Sequence, residues 1–179
     1  MSLAPTIVVT GVPRSGTSLC MQLLEAAGVP IYQDGKKPPD PRNPRGYYES
    51  SEAQRDDPAW LDAAAGMAVK VMGGAFLLPP DRVRLLLLHR DPTEVAASWA
   101  AAVGQPLHGA SALGHEHLWQ AMRDRFAQRG FHVLEVHHRA LLADPVPELR
   151  AIQDFLGLSH DTTDAMVAVI DQGLYRHRS

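Results

Sequence analysis

The sequence predicts an α/β fold of three layers, in which helices cover both faces of a central parallel β-sheet. Short continuous apolar runs, typical of strands that are buried on both faces, alternate with segments of helical periodicity. Turn residues such as Gly, Pro and Asp separate the two kinds of segment. Because a sheet of this kind binds ligands beyond the carboxyl ends of its strands, we expect functional residues directly after the strands.

The first half of the chain is predicted to form two strands and one helix. Thr6 to Val9 is a short apolar run, and the helix after it, from about Thr17 to Ala27, ends at Gly28, a residue common just after a helix. Met67 to Met72 is the second strand. Between them, Gln33 to Pro58 mixes basic residues with prolines and has no periodicity, which predicts a long loop that is either a functional lid or disordered.

The second half alternates in the same way. Val83 to Leu88 is apolar apart from Arg84, as expected of a strand covered on both faces, and Thr93 is placed to cap a helix that runs to about Val103. A longer helix is predicted over Ala112 to Gln128, with an apolar stripe formed by Leu118, Met122 and Phe126. Three further elements follow: a strand at Phe131 to Val136, a helix at Pro147 to Phe155 that Gly157 ends, and a helix near Thr163 to Asp171.

Composition limits the classes of protein to which the chain can belong. Its 179 residues suit a single domain over 1–179, and 45% hydrophobic with 21% charged residues is ordinary for a globular protein. A formal charge of -3 offers no general attraction to nucleic acid or to an anionic membrane. The single Cys20 excludes an internal disulfide, and no secretory signal is visible, so we expect a cytoplasmic protein.

The most informative segment joins the first strand to the first helix. Gly11 and Gly16 bracket a loop whose backbone N–H groups can wrap an anion at the positive end of a helix. In a nucleoside triphosphatase, a Lys that reaches the terminal phosphates would stand where this chain has Thr17. Here the cation is Arg14, inside the loop. The pattern predicts a phosphate-binding turn of a different class.

The run Pro13-Arg14-Ser15-Gly16-Thr17-Ser18 resembles the 5′-phosphosulfate loop of sulfotransferases that use 3′-phosphoadenosine 5′-phosphosulfate (PAPS). A second segment supports the resemblance: Arg90 follows a strand and Ser98 lies in the next helix, as in the family's 3′-phosphate-binding element. Weaker similarities at Asn43 to Glu49 and Leu134 to Leu158 extend the resemblance over roughly Ile7 to Leu158. The cofactor-binding residues that it implies are Arg14, Ser15, Gly16, Thr17, Ser18, Arg90 and Ser98.

The resemblance also implies catalytic roles for Arg14, Lys70 and Glu49. Arg14 would stabilise charge on the departing phosphate, and Lys70 is similar in placement to a family Lys that contacts the transferring group. Many family members have a His base shortly after that Lys, but this chain has Met72, which cannot accept a proton. Glu49 is the local carboxylate candidate for the base. Lys70 as a solvated strand-end residue and Glu49 as a plain loop residue stay open as alternatives.

The sequence thus implies sulfonyl transfer from PAPS to a hydroxyl or amine of a small-molecule acceptor. Two other functions stay open: a phosphate-loop kinase of small molecules, and a nucleotide-binding relative without turnover. The kinase is disfavoured because His89 and Arg90 separate Asp91 from the strand that would present it to magnesium. No metal site is expected, because the histidines lack the spacing of zinc ligands. The acceptor's identity and the oligomeric state cannot be read from the sequence.

Overall fold

The protein is described by a computed structural model that covers residues 3–40, 43, 45–55, 57–104 and 112–171. Four parallel strands form one sheet: β1 (Thr6–Gly11), β2 (Ala68–Lys70), β3 (Val83–His89) and β4 (Val133–His137), in the order β2-β1-β3-β4. Six α-helices accompany them in the described residues: α1 (Thr17–Ala26), α2 (Pro92–Val103), α3 (Ala112–Gln128), α4 (His138–Ala143), α5 (Pro145–Leu156) and α6 (Thr163–Val169). In the described ranges, every helix is too short or too polar to cross a membrane.

Side chains that alternate along the strands build two apolar cores. On one face, Val8, Leu85 and Leu87 pack with residues of α2 and α3 such as Val95 and Phe126. On the other face, strand residues pack against α1, α4, α5 and α6; this set includes Val9, Leu86, Leu88, Met21, Leu141, Ile152 and Met166. The predicted three-layer α/β fold is therefore confirmed.

The sheet order determines where the functional candidates lie. The carboxyl ends of β2, β1 and β3 are neighbours, and Lys70, the loop after Gly11, and Arg90 stand at or directly after those three ends. Residue Glu49 of the long loop forms an isolated parallel bridge with Lys70, next to the edge of the sheet. Residues that are far apart in the sequence therefore meet at one edge.

Several sequence-based boundaries differ from the structure. Asp91, not Thr93, caps α2: its carboxylate accepts hydrogen bonds from the N–H groups of Thr93 (2.8 Å) and Glu94 (3.3 Å). The short helix α4 was not predicted, and α5 begins at Pro145 rather than Pro147. A proline fits this first helical position because its missing N–H has no intrahelical partner there.

The predicted apolar stripe of α3 is wrong at one position. Leu118 is 49% exposed, whereas His115, Trp119 and Phe126 are buried. Residues spaced strictly by four drift about 40° around a helix at each step, because a turn takes about 3.6 residues. The buried face therefore follows a mixed spacing of three and four, and Leu118 lies outside it.

Candidate functional site

The loop between β1 and α1 is shaped by two close contacts at its glycines. A Cβ on Gly11 would lie 2.9 Å from the Leu88 carbonyl oxygen, and one on Gly16 would lie 2.5 Å from a ring carbon of His138. Gly16 has φ 101°, and Arg14 has φ 73°, a left-handed conformation that is uncommon for a residue with a side chain. The loop thus turns tightly between strand and helix, and its last backbone N–H groups lie at the start of α1.

Ser15 faces away from the open side of this loop. Its N–H donates to the Val12 carbonyl at 3.1 Å, and its side chain is buried behind the loop. The N–H groups at the start of α1 have no partner within the helix, as at any helix N-terminus. Gly16, Thr17 and Ser18 accordingly line the open side of the loop.

The two arginines that the sequence singled out lie side by side. Arg14 Nε donates to Ser98 Oγ at 3.1 Å, and Arg90 Nη1 donates to the Arg14 carbonyl at 3.2 Å. These contacts join residues that are 84 and 76 positions apart in the sequence. The phosphate-loop element and the Arg90–Ser98 element therefore form one cationic wall.

Glu94 holds Arg90 in this position, a role that the sequence analysis did not assign. Arg90 Nε donates to Glu94 Oε2 at 3.0 Å, and the side chains are only 9% and 2% exposed. A buried ion pair aligned by a hydrogen bond restricts the guanidinium to one orientation. The spacing of four residues across the start of a helix was the available sequence signal.

Lys70 is the centre of the opposite wall. Its ammonium group, 5% exposed, donates to Ser18 Oγ (3.3 Å), the Tyr47 carbonyl (2.9 Å) and Glu49 Oε1 (3.4 Å). Burial lowers the pKa of Lys70, and the negative charge of Glu49 opposes that shift. Lys70 is therefore a buried cation held by the α1 terminus and the long loop, and it does not extend into solvent.

The long loop closes over this wall through its own polar contacts. Lys37 Nζ lies 3.2 Å from both Glu49 carboxylate oxygens and 4.0 Å from the centre of the Tyr47 ring. Asn43 Nδ2 donates to Ser18 Oγ at 3.1 Å. Thr17 Oγ1 lies 3.7 Å from the sulfur of Met72. The loop thus presents Glu49 beside Lys70.

The two walls enclose one cavity of about 450 Å³. Eight of the nine residues singled out from the sequence line it: Arg14, Gly16, Thr17, Ser18, Glu49, Lys70, Arg90 and Ser98. Cations predominate, since Lys37 and Arg45 also line the cavity, whereas its carboxylates are Glu49 and Asp171. Such a cavity suits a polyanionic ligand.

His138 is a further lining residue that sequence reasoning did not assign to the site. It follows β4 directly, so it too stands at the carboxyl edge of the sheet, and its ring packs against Gly16. Burial and the positive charge of Arg90 lower the pKa of His138 to about 4. The imidazole is therefore neutral at physiological pH.

Comparison with known proteins agrees with this geometry. A sequence model of the sulfotransferase family matches residues 80–162, which include β3, α2 and Arg90. The crystal structure of mouse sulfotransferase SULT7A1 complexed with PAP superposes with a TM-score of 0.59 at 16% identity, over 97% of this chain and 67% of that one. The resemblance to the sulfotransferase family is confirmed.

Other sulfotransferase-fold structures are similar to the same extent. Sulfotransferase STF1 from Mycobacterium tuberculosis H37Rv gives a TM-score of 0.57 at 17% identity and covers 97% of this chain and 74% of its own. Retinol dehydratase in complex with retinol and PAP gives a TM-score of 0.55 at 21% identity and covers 96% of this chain and 66% of its own. No curated protein sequence matches the chain. At these identities the structures establish the sulfotransferase fold.

Proposed function

We propose that the chain is a sulfotransferase that moves a sulfonyl group from PAPS to a hydroxyl or amine of a small-molecule acceptor. The observation that carries the proposal is the convergence of Arg14 and Arg90, from two neighbouring strand ends, on one cavity. Arginine bonds phosphate oxygens in pairs and keeps its charge at any ordinary pH. Two such groups on one wall suit a nucleotide that carries a phosphate at both the 5′ and the 3′ position of its ribose.

The nucleotide is proposed to bind with its 5′ end at the loop and its 3′-phosphate at Arg90 and Ser98. Arg14 and the N–H groups of Gly16, Thr17 and Ser18 would bind the 5′-phosphosulfate. In support of this assignment, similar folds have been solved with PAP, which is 3′,5′-adenosine bisphosphate and the product left after sulfonyl transfer. Magnesium has no assigned role, and no group of potential metal ligands occurs in the described ranges.

Transfer would proceed by displacement at sulfur. The acceptor oxygen or nitrogen forms a bond to sulfur while the bond from sulfur to the 5′-phosphate oxygen breaks, and PAP leaves with that electron pair. Lys70, beside Ser18 and Glu49, is placed to stabilise the oxygens of the transferring group. Glu49 takes the acceptor's proton. Its carboxylate is the one next to Lys70, and Met72 supplies no base.

The acceptor is proposed to be a small molecule that enters beside the long loop. Retinol dehydratase has been solved with retinol and with androsterone, so folds of this type can take compact organic molecules. A cytoplasmic location, a single domain over residues 1–179 and the absence of nucleic-acid and membrane partners stay predictions.

Calorimetry tests the nucleotide assignment. The protein should bind 3′,5′-adenosine bisphosphate without magnesium and more tightly than ATP with magnesium; the reverse preference would support a kinase. Arg14→Ala and Arg90→Ala should each weaken bisphosphate binding by about 1–3 kcal/mol, the range for hydrogen bonds to charged groups. Arg82→Ala is the control, because Arg82 pairs with the exposed Asp62 and does not line the cavity. If both site variants bind as the control does, the assignment is wrong.

Turnover with labelled PAPS across a panel of alcohols, phenols and amines separates an enzyme from a binding protein. Glu49→Gln should abolish most turnover and leave bisphosphate affinity unchanged, because it removes the base and not a phosphate contact. Glu52→Gln is the matched control on the same loop, where Glu52 accepts a hydrogen bond from the Tyr32 hydroxyl. Equal turnover in the two variants would exclude Glu49 as the base.

A further inference from the structure

A second, much smaller cavity lies behind the phosphate-binding loop. It is enclosed by Ser15 and apolar residues of the strand ends on one side and by His115 and Trp119 of α3 on the other. The space open to the centre of a water molecule is about 10 Å³. That volume is at the lower limit for holding one water.

Three polar atoms around this cavity are buried without a hydrogen-bond partner among the described residues: Ser15 Oγ, His115 Nε2 and Trp119 Nε1. Their residues are 1%, 8% and 7% exposed. Buried polar groups are nearly always hydrogen-bonded, because the loss of solvation is otherwise uncompensated. Three such groups on residues that line one small cavity therefore point to a shared small polar partner.

The other polar side chains at the cavity are already engaged. Arg90 donates to Glu94 and to the Arg14 carbonyl, and Glu116 contacts His89 (3.3 Å) and Gln120 (2.9 Å). The three remaining groups come from two separate elements, the loop and α3. A ligand that satisfied them would therefore connect those two elements.

We propose that this cavity binds one ordered water molecule that links the phosphate-binding loop to α3. The hydrogen bonds balance: the water accepts from Trp119 Nε1–H and makes one further hydrogen bond to Ser15 Oγ and one to His115 Nε2, since a water molecule and a hydroxyl can each donate or accept. Three hydrogen bonds are the usual number for a buried water.

The water gives α3 a role in the site. Ser15 lies between Arg14 and Gly16, so a restraint on its side chain also restrains the backbone on which both depend. His115 and Trp119 lie outside the 450 Å³ cavity and are not among its lining residues. They are positioning residues: they act on a bound nucleotide only through Ser15 and the loop.

A crystal structure of the unaltered protein at about 1.8 Å resolution or better tests the water directly. The expected result is an isolated density peak about 2.7–3.2 Å from all three atoms, the range for ordinary hydrogen bonds. An empty cavity, or side chains rotated to hydrogen-bond one another, would overturn the proposal. This experiment does not depend on the proposed function.

The positioning role is tested by Trp119→Phe, which removes the N–H and keeps an aromatic ring. Bisphosphate affinity should fall about twofold to tenfold, as expected for one net hydrogen bond. Trp60→Phe is the matched control: Trp60 Nε1 is also buried without a partner in the described residues, in the same apolar core, but Trp60 does not line this cavity. Equal effects of the two substitutions would contradict the role of the water. Failure of the unaltered protein to bind the bisphosphate would instead refute the proposed function.

Discussion

Gly16→Ala is the substitution for which the structure gives the most detailed expectation. The added methyl group meets two separate obstacles: a backbone with φ 101°, and a His138 ring carbon 2.5 Å away. A left-handed conformation costs a residue with a Cβ about 1–2 kcal/mol. Overpacking of a buried site costs about 1–3 kcal/mol more. The free energy of unfolding should therefore fall by about 2–5 kcal/mol.

Gly28→Ala separates the two obstacles. Gly28 also has a left-handed backbone, with φ 82°, but nothing lies within 4 Å of the position of its Cβ. Gly28→Ala should therefore lower the free energy of unfolding only by the cost of the left-handed backbone, about 1–2 kcal/mol. Urea unfolding of both variants gives the comparison. If Gly16→Ala is no more destabilising than Gly28→Ala, the close contact with His138 does not contribute to the loss of stability.

A double-mutant cycle identifies the neighbour responsible. In the His138→Ala background the methyl group at position 16 has room. Gly16→Ala should there lower the free energy of unfolding only by the cost of the left-handed backbone. The double variant should therefore be more stable than the sum of the two single effects predicts. The difference should equal the cost of the clash with His138, about 1–3 kcal/mol. An additive cycle would refute the reasoning, because it would mean that the ring and the loop do not constrain one another.

Two further predictions concern charged groups of the site. Lys70→Met should lower turnover about a hundredfold or more, because the ammonium group is proposed to stabilise charge in the transition state. Lys36→Met, on the exposed loop, is the control; turnover within tenfold of the wild type in the Lys70 variant would contradict the role. Since the pKa of His138 is lowered to about 4, its neutral form stabilises the fold above the unfolded-state pKa of about 6.5, and that stability is lost as the pH falls toward 4. Between pH 7 and pH 4, the free energy of unfolding should fall by about 3 kcal/mol more in the wild type than in His138→Gln. If the free energy of unfolding of the two proteins depends on pH in the same way, His138 is not the cause of the loss.

The fold was predictable because its signals are local. Val83 to Leu88 is apolar apart from Arg84, and such a run is typical of a strand covered on both faces. The bounds of α3 agree with the prediction, whereas its buried face does not, because a strict spacing of four gives too much weight to Leu118. The cap of α2 was misassigned because Asp91 and Thr93 are both good cap residues, and only the backbone geometry distinguishes them.

The site was predictable where motifs resemble those of a known family. Arg14, Lys70 and Arg90 were assigned from that resemblance, and the sheet order brings them to one edge. Glu94 was not assigned although its spacing of four from Arg90 was an available signal, and His138 was not assigned because its role depends on packing that no local pattern encodes. The inward orientation of Ser15 was equally hidden, since it depends on the turn of the loop at Arg14 and Gly16.

The bond between Arg14 and Ser98 has a thermodynamic consequence for the whole chain. Its two partners are 84 residues apart, so they come together only after β1, β3 and α2 have assembled. A nucleotide that binds to both elements of the cationic wall has no binding site in the denatured chain. Such a nucleotide should raise the melting temperature in proportion to the logarithm of its concentration. At one hundred times its dissociation constant the added stability is about 2.7 kcal/mol, enough to be measured in a thermal-shift experiment before any acceptor is known.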